Sequence, residues 1–238
     1  MPRITDIASQ HQDIASLSVI LSVIAGATDT IGFLGLNGLF TAHITGNLVV
    51  LAAHLVTNGQ ADFSYILAVP VFMLVLLLTC LLAGALERAG FSTLKPLLLL
   101  QFLLLVVFLV LGVTAGPWKS APNPSIATVT GMFGVAAMAV QNALLKISLK
   151  GAPSTAVMTT NLTQFILDVG AVLTKSDPAN IAQARDRAKR TFPVIIGFAI
   201  GCGLGAGCEA AVGFWSLALP VGLALLAFVK AERSKWPG

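Results

Sequence analysis

Two short stretches carry polar chemistry where most of the chain is apolar. TAHITGN (residues 41–47) recurs 114 residues later as TAVMTTN (residues 155–161), a shared Thr-Ala-x-x-Thr-x-Asn pattern. Hydroxyl and amide side chains are expensive at bilayer depth, so a matched pair points to a site assembled from two halves. At the start of a short helix the first N–H groups are unpaired and the dipole end is positive. Thr45 and Thr159 are placed to cap those groups, and Asn47 and Asn161 to donate across the interface between the halves. Gly46 permits a close backbone approach; Thr160 replaces it in the second copy. Such an arrangement suits a small anion or polar solute held at the membrane midplane. The competing reading is that these side chains only satisfy backbone groups freed by a broken helix.

Further polar groups precede each motif: Asp29 and Thr30 in GATDTIGF, Gln141 and Asn142 in AVQNALL. The expected substrate-binding set is therefore Asp29, Thr41, Thr45, Gly46, Asn47, Gln141, Asn142, Thr155, Thr159 and Asn161. Asp29 and Asp168 stand apart, because a carboxylate at depth costs roughly 2.5–3.5 kcal/mol on insertion scales. They are the candidates for proton or cation coupling, unless each is simply paired with a neighbouring amide or hydroxyl. His43 has Val157 as its counterpart and reads as structural or interfacial.

Other chemistries find no support. Cys80, Cys202 and Cys208 are odd in number and lie in apolar runs, so no disulfide framework is expected. No Cys/His spacing suggests a metal site, no cofactor fingerprint is present, and no GxSxG, HExxH or P-loop points to an enzyme. The net charge of +4 comes without a basic face interleaved with aromatics, so nucleic acid is not an expected partner.

The elements that must position these residues are membrane helices. The chain is 56% hydrophobic and 10% charged with a mean hydropathy of +0.90; soluble chains carry roughly 25% charged residues. Six runs read as full spans: residues 16–36, 65–86, 96–113, 126–145, 192–207 and 214–229. Segments 43–56 and 158–173 are short and polar at their starts, as re-entrant helices are. The spans after them open with Pro70-Val71 and Pro193-Val194 and close on AGALE and GAGCE, ending at Glu87 and Glu209. These landmarks recur in order, so the chain divides into a polar N-terminus (1–15), a first repeat (16–120), a second repeat (121–231) and a tail (232–238). The second repeat inserts a charged loop, residues 175–190. Gly197, Gly201 and Gly205 form a small-residue stripe for close helix packing. Run 96–113, polar only at Gln101, is expected to face lipid; Trp118, Trp215 and Trp236 are expected as interfacial anchors. The N-terminus has no apolar core of a cleavable signal, so the first span is expected to be retained.

Basic residues choose between topologies. If all eight segments cross, ten of the fourteen Lys and Arg lie on the N-terminal side and four opposite. If the two short segments dip in and return, thirteen lie on the N-terminal side and only Lys119 opposite. The positive-inside bias prefers the second arrangement, with both termini cytoplasmic. Three crossings per half then invert one half against the other, and the two motifs are expected to meet near the midplane. The expected fold is an all-α membrane bundle with an internal inverted repeat, six crossing helices plus two re-entrant half-helices; eight spans in a parallel repeat are the alternative.

The string GATDTIGFLGLNGLFTAHITGNLVVLA, with AVQNALL and TAVMTTNLT, resembles the YoaK-like family of small bacterial membrane proteins, a family of unknown function. Asp29, Phe40, Thr41, Thr45, Gly46 and Asn47 match its first motif; Gln141, Asn142, Ala143, Thr155 and Thr159 match its second. Thr160-Asn161 stands where the pattern has Gly-Thr. The resemblance covers the membrane portion and implies a bacterial inner-membrane protein, without naming a substrate. Expected partners are the lipid bilayer and a small polar or anionic solute, with room for a homo-oligomer. The leading expectation is a transporter or channel-like protein. The alternatives are a non-transporting scaffold acting through the basic segment 175–190 and, more weakly, a membrane enzyme acting on lipid.

Overall fold

The computed structural model describes residues 4–57, 63–114, 124–155, 157–174 and 178–233. The expectations for Trp118, Lys119, Lys175, Trp236 and the tail beyond Arg233 lie outside the described residues. Within them are eight α-helices: α1 (Ile4–Gly35), α2 (Ile44–Val56), α3 (Phe63–Arg88), α4 (Leu94–Thr114), α5 (Pro124–Ile147), α6 (Met158–Leu173), α7 (Pro178–Val212) and α8 (Ala218–Arg233). A 3-10 turn, Gly213–Leu217, joins α7 to α8. No described residue is in a strand.

Five stretches are long and apolar enough to cross a membrane: Gln12–Gly35, Phe63–Arg88, Leu94–Thr114, Ser125–Ile147 and Ala179–Arg233. The last contains α7, the 3-10 turn and α8, so the expected fifth and sixth spans fall within one stretch. Over its described residues the charged segment is helical rather than a loop. Its described part forms the first turns of α7, because Ala, Arg, Lys and Gln are strong helix formers. Pro193 consequently lies inside α7 rather than opening it, and Pro70 lies inside α3, which begins at Phe63.

Burial singles out two central helices. In α1 and α5, 67% and 78% of the most apolar window is buried, against 17% in α3 and 33% in α4. α7 and α8 pack on α1, α3 and α4 pack on α5, α4 meets α8, and the short helices α2 and α6 lie on α3 and α7. α4 does not simply face lipid: Leu97, Leu98, Gln101, Leu105, Phe108 and Gly112 form a buried stripe at helical spacing.

Close contacts fix the helix directions. A Cβ added at Gly197 would lie 3.2 Å from the Val19 carbonyl, and one at Gly205 would lie 2.8 Å from that of Ala27, so α7 runs parallel to α1 and in register with it. The small-residue stripe is thus a packing seam, as its spacing predicts. α5 runs the other way. Gln141 hydrogen-bonds the Leu21 carbonyl, whereas Thr41, held beside Gly32 of α1, would lie 2.9 Å from a Cβ at Gly134. α6 is antiparallel to α7, with Phe165 stacked on Phe192 at 5.3 Å and Asp168 bonded to Arg187.

Among the described residues, one end of the bundle gathers a set of paired polar groups. Lys230 pairs with Asp13 at 3.7 Å, Lys95 with Glu232 at 3.2 Å, and Thr93 shares a hydrogen bond with Ser148 at 2.8 Å. A small pocket at the same end is lined by Ile14, Ser18, Lys150 and Arg190.

Candidate functional site

The chain leaves α1 through Asn37 and Gly38, at φ 55° and 93°. Asn and Gly tolerate this left-handed region where other residues are strained. The Tyr65 hydroxyl donates to the Asn37 carbonyl and ties the turn to α3. Residues 39–43 then fold back along α1 until the backbone faces Asp29.

Asp29 is buried, and its Oδ1 accepts hydrogen bonds from the N–H groups of Thr41 (2.8 Å), Ala42 (2.7 Å) and His43 (3.3 Å). The Thr41 hydroxyl lies 3.5 Å from the same oxygen. Successive N–H groups converging at a helix start form an anion nest. Here the anion is the protein's own carboxylate. Its hydrogen bonds and the positive end of α2 stabilise a charge that would otherwise be costly at this depth.

Asn47 reaches back seven residues. Its Oδ1 accepts from the Phe40 N–H at 2.9 Å and its Nδ2 donates to the Phe40 carbonyl at 2.8 Å. It therefore clamps its own loop and does not donate across the halves. Thr45 is exposed and caps nothing; the N-cap of α2 is His43, with no side-chain bond. At Gly46 the near neighbour is the Phe40 ring, 3.0 Å from an added Cβ, rather than a second backbone.

The second loop, residues 148–157, uses neutral groups. Asn161 Nδ2 donates to the Ser154 carbonyl at 2.6 Å, again seven residues back, and Ser154 Oγ accepts from the Val157 N–H at 3.3 Å. Thr159 is exposed, like Thr45, and the N-cap Val157 has no side-chain bond. Gln141 Nε2 donates to the Thr155 hydroxyl at 2.7 Å and to the Leu21 carbonyl at 2.9 Å. That carbonyl accepts only, so the Gln141 amide orientation is fixed and its Oε1 must accept from Gln101 Nε2 at 2.6 Å. Gln101 Oε1 is left buried with no hydrogen-bond partner among the described residues.

The sequence-derived residues thus form two clusters rather than one. Asp29 joins Thr41, and Gln141 joins Thr155. Leu21 and Asp29, which mark the clusters on α1, are separated by about 12 Å of helix. The motifs meet α1 at separate levels instead of meeting each other. Asn142 donates to Met138 of its own helix at 2.9 Å and joins neither cluster. Asp168 belongs to a third place: buried, it accepts from Arg187 Nη2 at 2.7 Å and from Gln164 at 3.0 Å. The Arg187 hydrogen bonds hold its carboxyl below the usual carboxylate range.

Gln101 and Ser154 were missed in the sequence. Gln101 had a readable signal, since a lone amide in an apolar run carries the same cost that singled out Asp29. Ser154 had only a weak one, a serine shortly before a helix start, and its backbone carbonyl, which meets Asn161, is not encoded by residue type.

No curated protein and no solved structure matches the chain, so the YoaK-like resemblance gains no named relative. A family model does match, over residues 17–230, covering every helix-borne residue of both clusters. The chain belongs to the family described as Protein of unknown function (DUF1275).

Proposed function

We propose that the chain is a membrane transporter or channel-like protein for a small polar solute, built as a three-plus-three inverted repeat with α2 and α6 as re-entrant half-helices. The observation that carries this reading is the antiparallel course of α5 against α1, with a polar loop and a short helix beside each. A parallel eight-span repeat would run α1 and α5 in the same direction. The midpoint between the two clusters falls at residue 25 on α1 and at about residue 138 on α5, a spacing close to the motif repeat. The helix pairings support the same symmetry, since α1·α7, α2·α3 and α4·α5 exchange with α5·α3, α6·α7 and α8·α1. The gathering of Asp13, Lys95, Ser148, Lys150, Arg190 and Lys230 at one end supports a single basic face. By the positive-inside rule that face is cytoplasmic in a bacterial inner membrane.

The chemistry narrows the solute. Asp29 already fills the donor set at the start of α2, so an anion could bind there only by displacing it. The second cluster offers an acceptor, Gln101 Oε1, and buried hydroxyls without partners among the described residues occur on both central helices at Thr28 and Thr130. A neutral solute bearing N–H or O–H groups suits these better than an anion. Asp29 would then hold the first loop in position while solute exchanges against the second.

Purified protein in liposomes, mixed rapidly with urea, glycerol or glycine and followed by light scattering, should admit at least one of them faster than protein-free liposomes. Gln101→Leu should slow that entry about tenfold or more by removing the acceptor. Absence of flux for every solute, or flux indifferent to Gln101→Leu, would sink the reading. Topology has its own test. Ala89→Cys and Lys150→Cys, in a background lacking the native cysteines, should both resist an impermeant thiol reagent added to whole cells. The neighbouring glycines are poorer sites, because Gly90 and Gly151 sit at φ 79° and 86°.

A further inference from the structure

Between α6 and the first turns of α7 lies a groove of about 360 Å³, apart from both polar clusters. Its walls are apolar: Phe165, Val169 and Val172 on α6 and Phe192 on α7. Arg185 and Lys189 stand on its α7 side, and both are exposed. Residues 185, 189 and 192 follow i, i+4, i+7 spacing, so the two cations and the aromatic ring share one face of α7. The acid within the groove, Asp168, is already paired with Arg187. Neither Arg185 nor Lys189 makes an ion pair or side-chain hydrogen bond with a described residue, which leaves two positive charges above an apolar cleft. Because α6 and α7 are antiparallel, Phe165 and Phe192 lie at the deep end, while Val172 and Arg185 lie nearer the polar end.

We propose that this groove holds one anionic phospholipid, its phosphate on Arg185 and Lys189 and an acyl chain along Phe165, Val169 and Phe192. Charge and shape complementarity both favour that occupant. A free phosphate would leave the apolar walls unused, and a zwitterionic lipid would return little for the two cations. The site depends on the chain being embedded in a membrane and not on transport, so it stands even if no solute crosses.

Native mass spectrometry of the detergent-solubilised protein, titrated with equal amounts of phosphatidylglycerol and phosphatidylcholine, reads the site directly. The expected result is one phosphatidylglycerol retained with about a tenfold preference. Arg185→Glu with Lys189→Glu should remove that preference, and Val169→Trp should weaken retention of phosphatidylglycerol by filling the cleft. Arg88→Glu with Arg233→Glu, the same charge change elsewhere, should leave it intact. Glycerol phosphate should not compete, which separates a lipid site from a phosphate site. If the charge-reversed protein does not fold, Arg185→Gln with Lys189→Gln gives the same reading, with a smaller loss. Equal retention of both lipids, competition by glycerol phosphate, or equal losses in both pairs of charge variants would overturn the proposal.

Discussion

The two motif-bearing loops do the same backbone task with different chemistry. In each, an asparagine turns back seven residues to hold its own loop: Asn47 on Phe40 and Asn161 on Ser154. Around that shared clamp the halves diverge. The first loop is fixed by a carboxylate, Asp29, taking three backbone N–H groups at the start of α2. At the corresponding place, 114 residues on, stands the buried and apolar Ala143. The second loop is held instead by Gln141, which reaches the Thr155 hydroxyl and needs Gln101 on its far side. Later in the short helices the charges reverse places. His54 stacks on Tyr65 at 5.6 Å, whereas its counterpart Asp168 bonds Arg187. The two loops therefore rest on unlike anchors, one a carboxylate and the other an amide pair whose Gln101 Oε1 has no partner among the described residues.

Removal of each loop's anchor tests that contrast most severely. Asp29→Ala strands three N–H groups and should cost on the order of 3–5 kcal/mol, read as a lowered unfolding midpoint in detergent. Gln141→Ala breaks three neutral hydrogen bonds and should cost less, about 2–3 kcal/mol. Equal losses would mean that the charge at α2 matters no more than an amide. The clamps give a smaller difference in the same measurement. Asn47→Ala loses two backbone bonds, about 2 kcal/mol, and Asn161→Ala loses one, about 1 kcal/mol. A larger loss at Asn161 would place the more rigid loop in the second half.

Exchange of the residue beside each clamp asks whether Phe40 explains the asymmetry. Gly46→Thr drives a side chain into the Phe40 ring, which also packs on Phe33 at 4.7 Å, and should cost about 1–2 kcal/mol. Thr160→Gly empties an exposed position and should cost only a few tenths of a kcal/mol, through helix propensity. If Gly46→Thr were as mild, the ring would be free to move and Gly46 would need another explanation.

Much of this architecture was legible because lipid makes polarity conspicuous. Asp29, Thr41, Asn47, Gln141 and Thr155 all lie buried and hydrogen-bonded, as the cost of polar groups at depth requires. The small-residue seam of α7 followed from spacing alone. What sequence could not supply was direction. Thr45 and Thr159 look like helix caps, but the N-caps lie two residues earlier, at His43 and Val157, and both threonines are exposed. Capping is decided by one backbone torsion at the loop exit, and composition does not encode it. Nor could spacing reveal that Asn47 and Asn161 reach backward instead of across, since both geometries need the same amide. The charged segment 175–190 looks like a loop because charge favours exposure, whereas the residues of its described part are also good helix formers.

The smallest expected effect concerns the second half's carboxylate and its response to pH. Arg187 holds the Asp168 carboxyl below its usual range, so the folded state favours the ionised form more than the unfolded chain does. The stability this contributes is complete above the ordinary carboxylate pKa, about 3.9, and is lost as pH falls through the lower folded value. Asp168→Asn should flatten that acid limb of the unfolding midpoint while changing little of its shape near neutral pH. Arg187→Gln should move the loss to higher pH, because the buried carboxyl would no longer be held down. The effect stays modest because the Arg187 side chain is 42% exposed and solvent screens the pair. An acid limb identical in the parent and in Asp168→Asn would mean that the ion pair contributes nothing to folding. The difference between the halves would then rest on Asp29 alone.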